Sequence, residues 1–281
     1  MKRLRWPLRA LPIALVLACA GPPRERRLPD REGPLARGVH DLELGTDPTG
    51  EARTARVIWP KGPIRGAIWV FHGGRNTTID ELAPAWRDHR ERGFVLVFPQ
   101  GQRARPGEGA WFTAPGEDSV HMAPLLRLHD RLTQSGVKKH VATGFSSGGH
   151  MTWRLACEQP ERFDAFVPIG SFLLADVAEH CQPDPVRPLL LVAMADDPVS
   201  PYAGKPTPDG RPHSLGADAS LERMAGIASC SGNAASDPVQ GGAHLRWPGC
   251  ELEHVRLERG GHRWPQRGAD LVIDFFDRVV R

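Results

Sequence analysis

Gly144-Phe145-Ser146-Ser147-Gly148 reads G-x-S-x-G, a spacing that suits a nucleophilic serine on a sharp strand-to-helix turn. A side chain at either flanking glycine would collide with the neighbouring strand or helix. A serine so placed attacks a carbonyl once a base removes its proton, and the base needs an acid to orient it. Five common residues are a weak signal by themselves. Here the run His140–Thr143 ahead of them has strand character, and a helix-like segment follows. Gly149 prolongs the small-residue stretch, which lets helix and sheet approach closely.

The partners of such a serine are expected in the order serine, acid, histidine. Asp196 and Asp197 follow the apolar run Leu189–Met194, where an acid at a strand's C-terminal end can reach a histidine. Position alone does not choose between them, and either also serves as a turn former ahead of Pro198. His262 stands in Gly260-Gly261-His262-Arg263-Trp264-Pro265, after the last apolar run. The chain has 12 histidines, so position rather than residue type singles it out.

An early strand ends in His72-Gly73-Gly74, which fits a loop supplying an oxyanion donor. The expected donors are the backbone N–H groups of Gly74 and Ser147, and His72 is read as a packing or hydrogen-bonding residue. Phe145 and Trp264 are candidates to line a substrate pocket. Trp111-Phe112 could do the same, and ordinary loop packing explains them equally well.

These residues need a frame, and the hydrophobic pattern supplies one. Strands are expected near Gly38–Leu44 and Ala52–Trp59, then over 66–71, Phe94–Phe98, His140–Thr143, Phe163–Ile169, Leu189–Met194 and Leu252–Leu257. Helices are expected over Asp80–Arg92 with Asp80 as its cap, Asp118–Gln134, Ser147 to Glu158, and Ala269–Val280. Short apolar strands alternating with helices predict an α/β fold, a mostly parallel sheet with helices on both faces. No internal repeat or second catalytic domain is visible in the 281 residues.

The N-terminus reads differently. Lys2, Arg3, Arg5 and Arg9 precede the short apolar run Leu11–Ala18, a pattern of an export signal too short to span a bilayer. Cys19 after Val16-Leu17-Ala18 fits a lipidation box, although Leu17 is larger than that box prefers. Lipidation of Cys19 and plain cleavage both stay open. Residues 19–38 have the Pro-, Arg- and Gly-rich composition of a flexible tether, and 39–281 are assigned to the catalytic domain.

Residues 1–18 hold four of the 36 basic residues and none of the 33 acids, leaving 32 bases against 33 acids in the remainder. Nothing global therefore favours nucleic acid, and the only membrane link expected is a lipid on Cys19. The other cysteines are Cys157, Cys181, Cys230 and Cys250. An even count in an exported chain points to two disulfides, of which sequence allows three pairings and nearest-neighbour pairing is the simplest. Zinc is disfavoured because no C-x-x-C pair is present. The expected chemistry calls for no metal and no organic cofactor.

Several separated motifs together resemble the poly(3-hydroxybutyrate) depolymerase and feruloyl/acetylxylan esterase family of α/β-hydrolases. They are Phe71-His72-Gly73-Gly74, the serine pentapeptide with Gly149, Leu155-Ala156-Cys157, Asp197-Pro198-Val199-Ser200-Pro201-Tyr202, and Gly260-Gly261-His262-Arg263-Trp264-Pro265. The resemblance spans roughly residues 50–280. It implies a serine esterase that cleaves feruloyl, acetyl-sugar or short hydroxyalkanoate esters. It places the acid on Asp197 with Asp196 as the alternative, and supports Cys157–Cys181 and Cys230–Cys250 pairing. Gly74, where the family often has cysteine, and Ala193-Met194-Ala195 depart from the family pattern beside the oxyanion and acid loops. No polymer-binding module follows the last helix, which argues against attack on bulk polyester. Two other classes fit the same scaffold: a serine peptidase, and a ligand-binding lipoprotein without catalysis, against which the intact Ser-Asp-His set argues.

Overall fold

Runs with no polar residue can pair in a sheet only where both faces are covered, and that is where the chain puts them. The protein is described by a computed structural model covering residues 33–46, 52–74, 79–101, 111, 122–207, 210 and 212–280. The export signal, Cys19 and most of the tether lie outside the described residues, as does Phe112.

Ten strands form one sheet. In chain order they are β1 (Val39–Thr46), β2 (Ala52–Ile58), β3 (Gly66–Phe71), β4 (Phe94–Pro99), β5 (His140–Phe145), β6 (Ala165–Ile169) and β7 (Leu189–Met194). A two-stranded ribbon, β8 (Lys205–Pro206) and β9 (Pro212–Ser214), stands apart, and β10 (Ala235–Val239), β11 (Gly242–Arg246) and β12 (Leu252–Leu257) complete the large sheet. Its order is β1-β2-β4-β3-β5-β6-β7-β12-β11-β10. From β4 through β12 the pairing is parallel, and antiparallel strands extend both edges.

Alternation divides each apolar run between two cores. In β3, Trp69 and Phe71 face one core together with Met151 and Leu155, whereas Ile68 and Val70 face the other with Phe275 and Phe276. The helices α1 (Ile79–Leu82), α2 (Met122–Gln134), α3 (Ser147–Glu158), α4 (Ala175–His180), α5 (Ala217–Ile227) and α6 (Gly268–Val279) cover these faces. The α/β class expected from the pattern is the class observed.

The single helix expected over Asp80–Arg92 is not what forms. α1 stops after one turn, and residues Ala83–Arg92 continue as a 3₁₀ segment ended by Gly93 at φ 88°. Pro84 lacks the N–H that an α-helical ladder would need there. Asp80 lies inside α1 rather than capping it, and its carboxylate meets Arg56. The β10–β11 hairpin, α4, α5 and the β8–β9 ribbon were not anticipated. β10 is exposed along its whole length, so it carries no alternation to read.

Disulfides join Cys157 to Cys181 and Cys230 to Cys250, the nearest-neighbour pairs. The first ties the end of α3 to the end of α4 across a separation of 24 residues. By loop-closure entropy such a link contributes about 3 kcal/mol.

Candidate active site

β5 delivers Ser146 to a sharp turn from which α3 departs at once. Ser146 has φ 54° and ψ −117°, a conformation that costs a non-glycine residue of order 1–3 kcal/mol. The turn is held by the Ser146 N–H donating to the Ile169 carbonyl at 3.0 Å and by His150 N–H donating to the Ser146 carbonyl at 3.1 Å. Glycine is required on both sides by closeness of backbone. A Cβ on Gly144 would fall onto the Gly148 carbonyl, and one on Gly148 onto the carbonyls of Phe71 and His72. Gly149 is fixed in the same way by the Ser171 side chain.

β7 and β12 pair in parallel with Met194 opposite Leu257, so the loops that follow leave the sheet side by side. The first carries Asp196 and Asp197, the second His262. His262 Nε2 stands 2.8 Å from Ser146 Oγ, and its Nδ1 stands 2.7 Å from Asp197 Oδ2. Asp197 Oδ1 accepts the N–H groups of Val199 and Ser200 at 2.8 and 2.9 Å. Its side chain is 1% exposed. A buried carboxylate with these three donors is fully engaged, which fixes its direction towards the imidazole.

Asp196 faces the other way and is solvated. Its Oδ1 accepts the Gly261 N–H at 2.7 Å, and that bond holds its carboxyl below the ordinary range. Two adjacent aspartates therefore meet one loop at two points: Asp197 the imidazole, Asp196 the backbone that carries it. Gly261 takes φ 58° there, in the left-handed region that favours glycine.

The loop after β3 brings Gly74 beside the start of α3, where a Cβ on it would stand 3.9 Å from Ser147 Cβ. Ser147 is the first residue of α3, and N–H groups in that turn have no helical partner. His72 pins this loop from below. Its Nε2 accepts the Gly101 N–H at 2.8 Å, so its proton sits on Nδ1, which is 2.7 Å from the Gly73 carbonyl. Trp111 donates to the His72 carbonyl at 2.9 Å and packs edge-on against Phe71. Trp111 is thus a prop of the loop, the packing alternative of the two expected for it.

Phe145 lays its ring against the His262 imidazole, with centroids 4.8 Å apart. Trp264 meets Phe145 at 6.4 Å and Trp86 at 5.9 Å, forming an aromatic shelf behind the histidine. Two side chains without an expected role lie around the site. His150, four residues past the serine, has Nδ1 2.9 Å from the Phe172 carbonyl, and the surrounding protein pushes its pKa down to about 4. Tyr202 Oη donates to Asp218 at 2.9 Å, fastening the loop that carries Asp197. His150 has no spacing that would mark it in sequence, and Tyr202 stands in the Asp197-to-Tyr202 motif, where no role was expected of its hydroxyl. Among the described residues, no group of three His, Cys, Asp or Glu side chains could hold a metal ion.

Solved structures share this fold. An acetyl xylan esterase from Aspergillus awamori superposes with a TM-score of 0.65 at 16% identity, covering 85% of this chain and 98% of that one. The chain has the α/β-hydrolase fold. Thermogutta terrifontis esterase 2, in a structure phosphorylated by paraoxon, gives a TM-score of 0.55 at 15% identity over 85% of this chain and 92% of that one. In sequence, the chain is 30% identical over 112 residues to a probable feruloyl esterase C of Aspergillus flavus. That stretch is 39% of this chain and 38% of the relative's length. No family model matches the chain.

Proposed function

We propose that the chain is a serine esterase whose nucleophile is Ser146, with His262 as general base and Asp197 as the acid that orients it. The observation that carries this reading is the unbroken hydrogen-bond line from Ser146 Oγ through both nitrogens of His262 to a buried Asp197. As Oγ attacks the ester carbonyl, its proton passes to His262 Nε2, and Nδ1–H stays with Asp197. Negative charge collects on the carbonyl oxygen, where the N–H groups of Gly74 and Ser147 receive it. Each such donor is worth about 3 kcal/mol in the transition state. The alcohol leaves with the proton from Nε2. Water then attacks the acyl-serine with the same imidazole as base, releasing the acid.

The likeness of its matched stretch to a probable feruloyl esterase supports an aryl or short acyl group on the substrate. Feruloyl, acetyl-sugar and short hydroxyalkanoate esters form the panel to try. The basic and apolar N-terminal pattern and two disulfides support an exported protein, released by cleavage or held by a lipid on Cys19. The experiment is stoichiometric labelling by a fluorophosphonate together with that ester panel, on wild type and Ser146→Ala. Labelling should map to Ser146, and the variant should lose about 10⁵-fold or more in kcat. Folded protein that takes no label, or a variant turning over at the wild-type rate, overturns the proposal.

A further inference from the structure

Beside α6, on the same face of the sheet, β7, β12 and the β10–β11 hairpin enclose a groove of about 650 Å³. Its floor is apolar, formed by Leu190 and Met194 of β7 with Val255 and Leu257 of β12. Trp264 and Leu271 wall one side. Val239 at the hairpin turn also lines it and is 38% exposed, one of three large apolar side chains left exposed among the described residues.

The rim has the opposite character. Arg246, Arg259, Arg263, Arg267 and Arg278 line the groove against one carboxylate, that of Asp274. Three of the five have carboxylates of their own. Arg246 pairs with Asp237 at 2.6 Å, Arg278 with Glu253 at 2.7 Å, and Arg267 lies 3.8 Å from Asp270. Asp274 is 4.0 Å from Arg92. Among the described residues, Arg259 and Arg263 have no ion pair. The Asp196 carboxylate feels Arg259 at longer range but is occupied by the Gly261 N–H. Two unpaired, exposed guanidiniums therefore stand over an apolar floor, four positions apart on the loop that carries His262.

We propose that this groove binds an organic carboxylate with an aromatic or short apolar body, the carboxylate held by Arg259 and Arg263. Guanidinium forks match a carboxylate in two parallel hydrogen bonds, while the floor and Trp264 take the apolar part out of water. The choice of carboxylate over other anions rests on the hydrolase reading, since an esterase releases that class of product. The groove does not include Ser146, Asp197 or His262, and it meets their centre through the backbone of the histidine loop and through Trp264, which packs on Phe145.

The test is calorimetric titration with cinnamate, cinnamyl alcohol and phenyl phosphate, on protein whose Ser146 has been blocked by a fluorophosphonate. Cinnamate should bind with one site per chain. The alcohol should bind at least tenfold more weakly, and raised salt should weaken cinnamate. Arg259→Gln/Arg263→Gln should raise the cinnamate Kd at least tenfold while keeping the wild-type thermal midpoint, because neither side chain has an ion pair among the described residues. Binding that vanishes on blocking Ser146 belongs to the active centre and overturns the proposal. So does equal affinity in the double variant, preference for the phosphate, or self-association through the groove without cinnamate binding. The labelling step is scored separately, so an unreactive Ser146 is a different result from an empty groove; in that case the double variant alone locates the site.

Discussion

Replacing Asp197 by asparagine tests the proposed mechanism where it is most specific. The amide oxygen of the new side chain can still accept the N–H groups of Val199 and Ser200, which now meet Asp197 Oδ1 at 2.8 and 2.9 Å. Its NH₂ then replaces Oδ2, at 2.7 Å from His262 Nδ1. A donor cannot face a donor, so Nδ1 must lose its hydrogen and the proton moves to Nε2. Nε2 is the atom 2.8 Å from Ser146 Oγ, and with a proton there it can no longer accept one from the serine. The base is disabled without any change of shape. Such a tautomer change lowers kcat about 10⁴-fold, equivalent to about 5 kcal/mol of barrier. Asp196→Asn is the matched control. It keeps an acceptor for Gly261 N–H and leaves Asp197 untouched, so its loss should stay under about tenfold. Both variants are assayed for steady-state hydrolysis of an aryl ester, with thermal midpoints to show equal folding. If Asp196→Asn loses as much as Asp197→Asn, or if Asp197→Asn keeps a tenth of the wild-type kcat, the assigned roles are wrong.

Three further outcomes follow from packing and burial. Gly148→Ala drives a methyl into the Phe71 and His72 carbonyls, so urea denaturation should show a loss of about 1–3 kcal/mol, with fluorophosphonate labelling abolished. Gly226 in α5 has open space around its Cβ position, and Gly226→Ala should gain about 0.5–1 kcal/mol instead. Burial lowers the His140 pKa from 6.5 to about 3, with the His129 charge acting in the same direction. The unfolded chain then takes up this proton first, so stability present above pH 6.5 is lost as the pH falls from there towards 3. His140→Gln keeps an acceptor for Trp69 Nε1, and its thermal midpoint should fall less steeply than that of the wild type between about pH 6.5 and 4; parallel curves would count against the argument.

The parts of the site legible in the sequence are those where backbone geometry restricts residue type. Gly144, Gly148 and Gly149 meet backbone or side-chain atoms that leave no room for a Cβ, and that crowding is written as a pattern of small residues. The apolar runs of β3 through β7 are legible for a similar reason, since both their faces are buried. What separates Asp197 from Asp196 is the direction each side chain takes in a turn, which the pair itself does not record, and only the likeness of Asp197-to-Tyr202 to the family motif favoured Asp197. β10 and β11 extend the edge of a sheet whose interior is already complete, so their residues obey no apolar period. Pro84 could have foretold the break after Leu82, because its missing N–H interrupts the ladder regardless of what surrounds it. The arginine groove takes its lining from β7, β12, the β10–β11 hairpin, a loop and a helix. No contiguous segment contains it.

The parallel pairing of β7 with β12 has a consequence for the order in which the molecule assembles. Ser146 and the Gly74 loop are built from neighbouring strands β3 and β5, whereas His262 arrives only once β12 has docked against β7, 58 residues or more after β7 ends. On the mechanism proposed above, a chain folded only as far as the loop after β7 would hold Ser146 and Asp197 but lack the base that takes the serine's proton. Under that mechanism, topology would withhold reactivity until β12 joins the sheet. Refolding followed by burst labelling would register that step as a lag between recovery of β-sheet signal and appearance of a reactive serine.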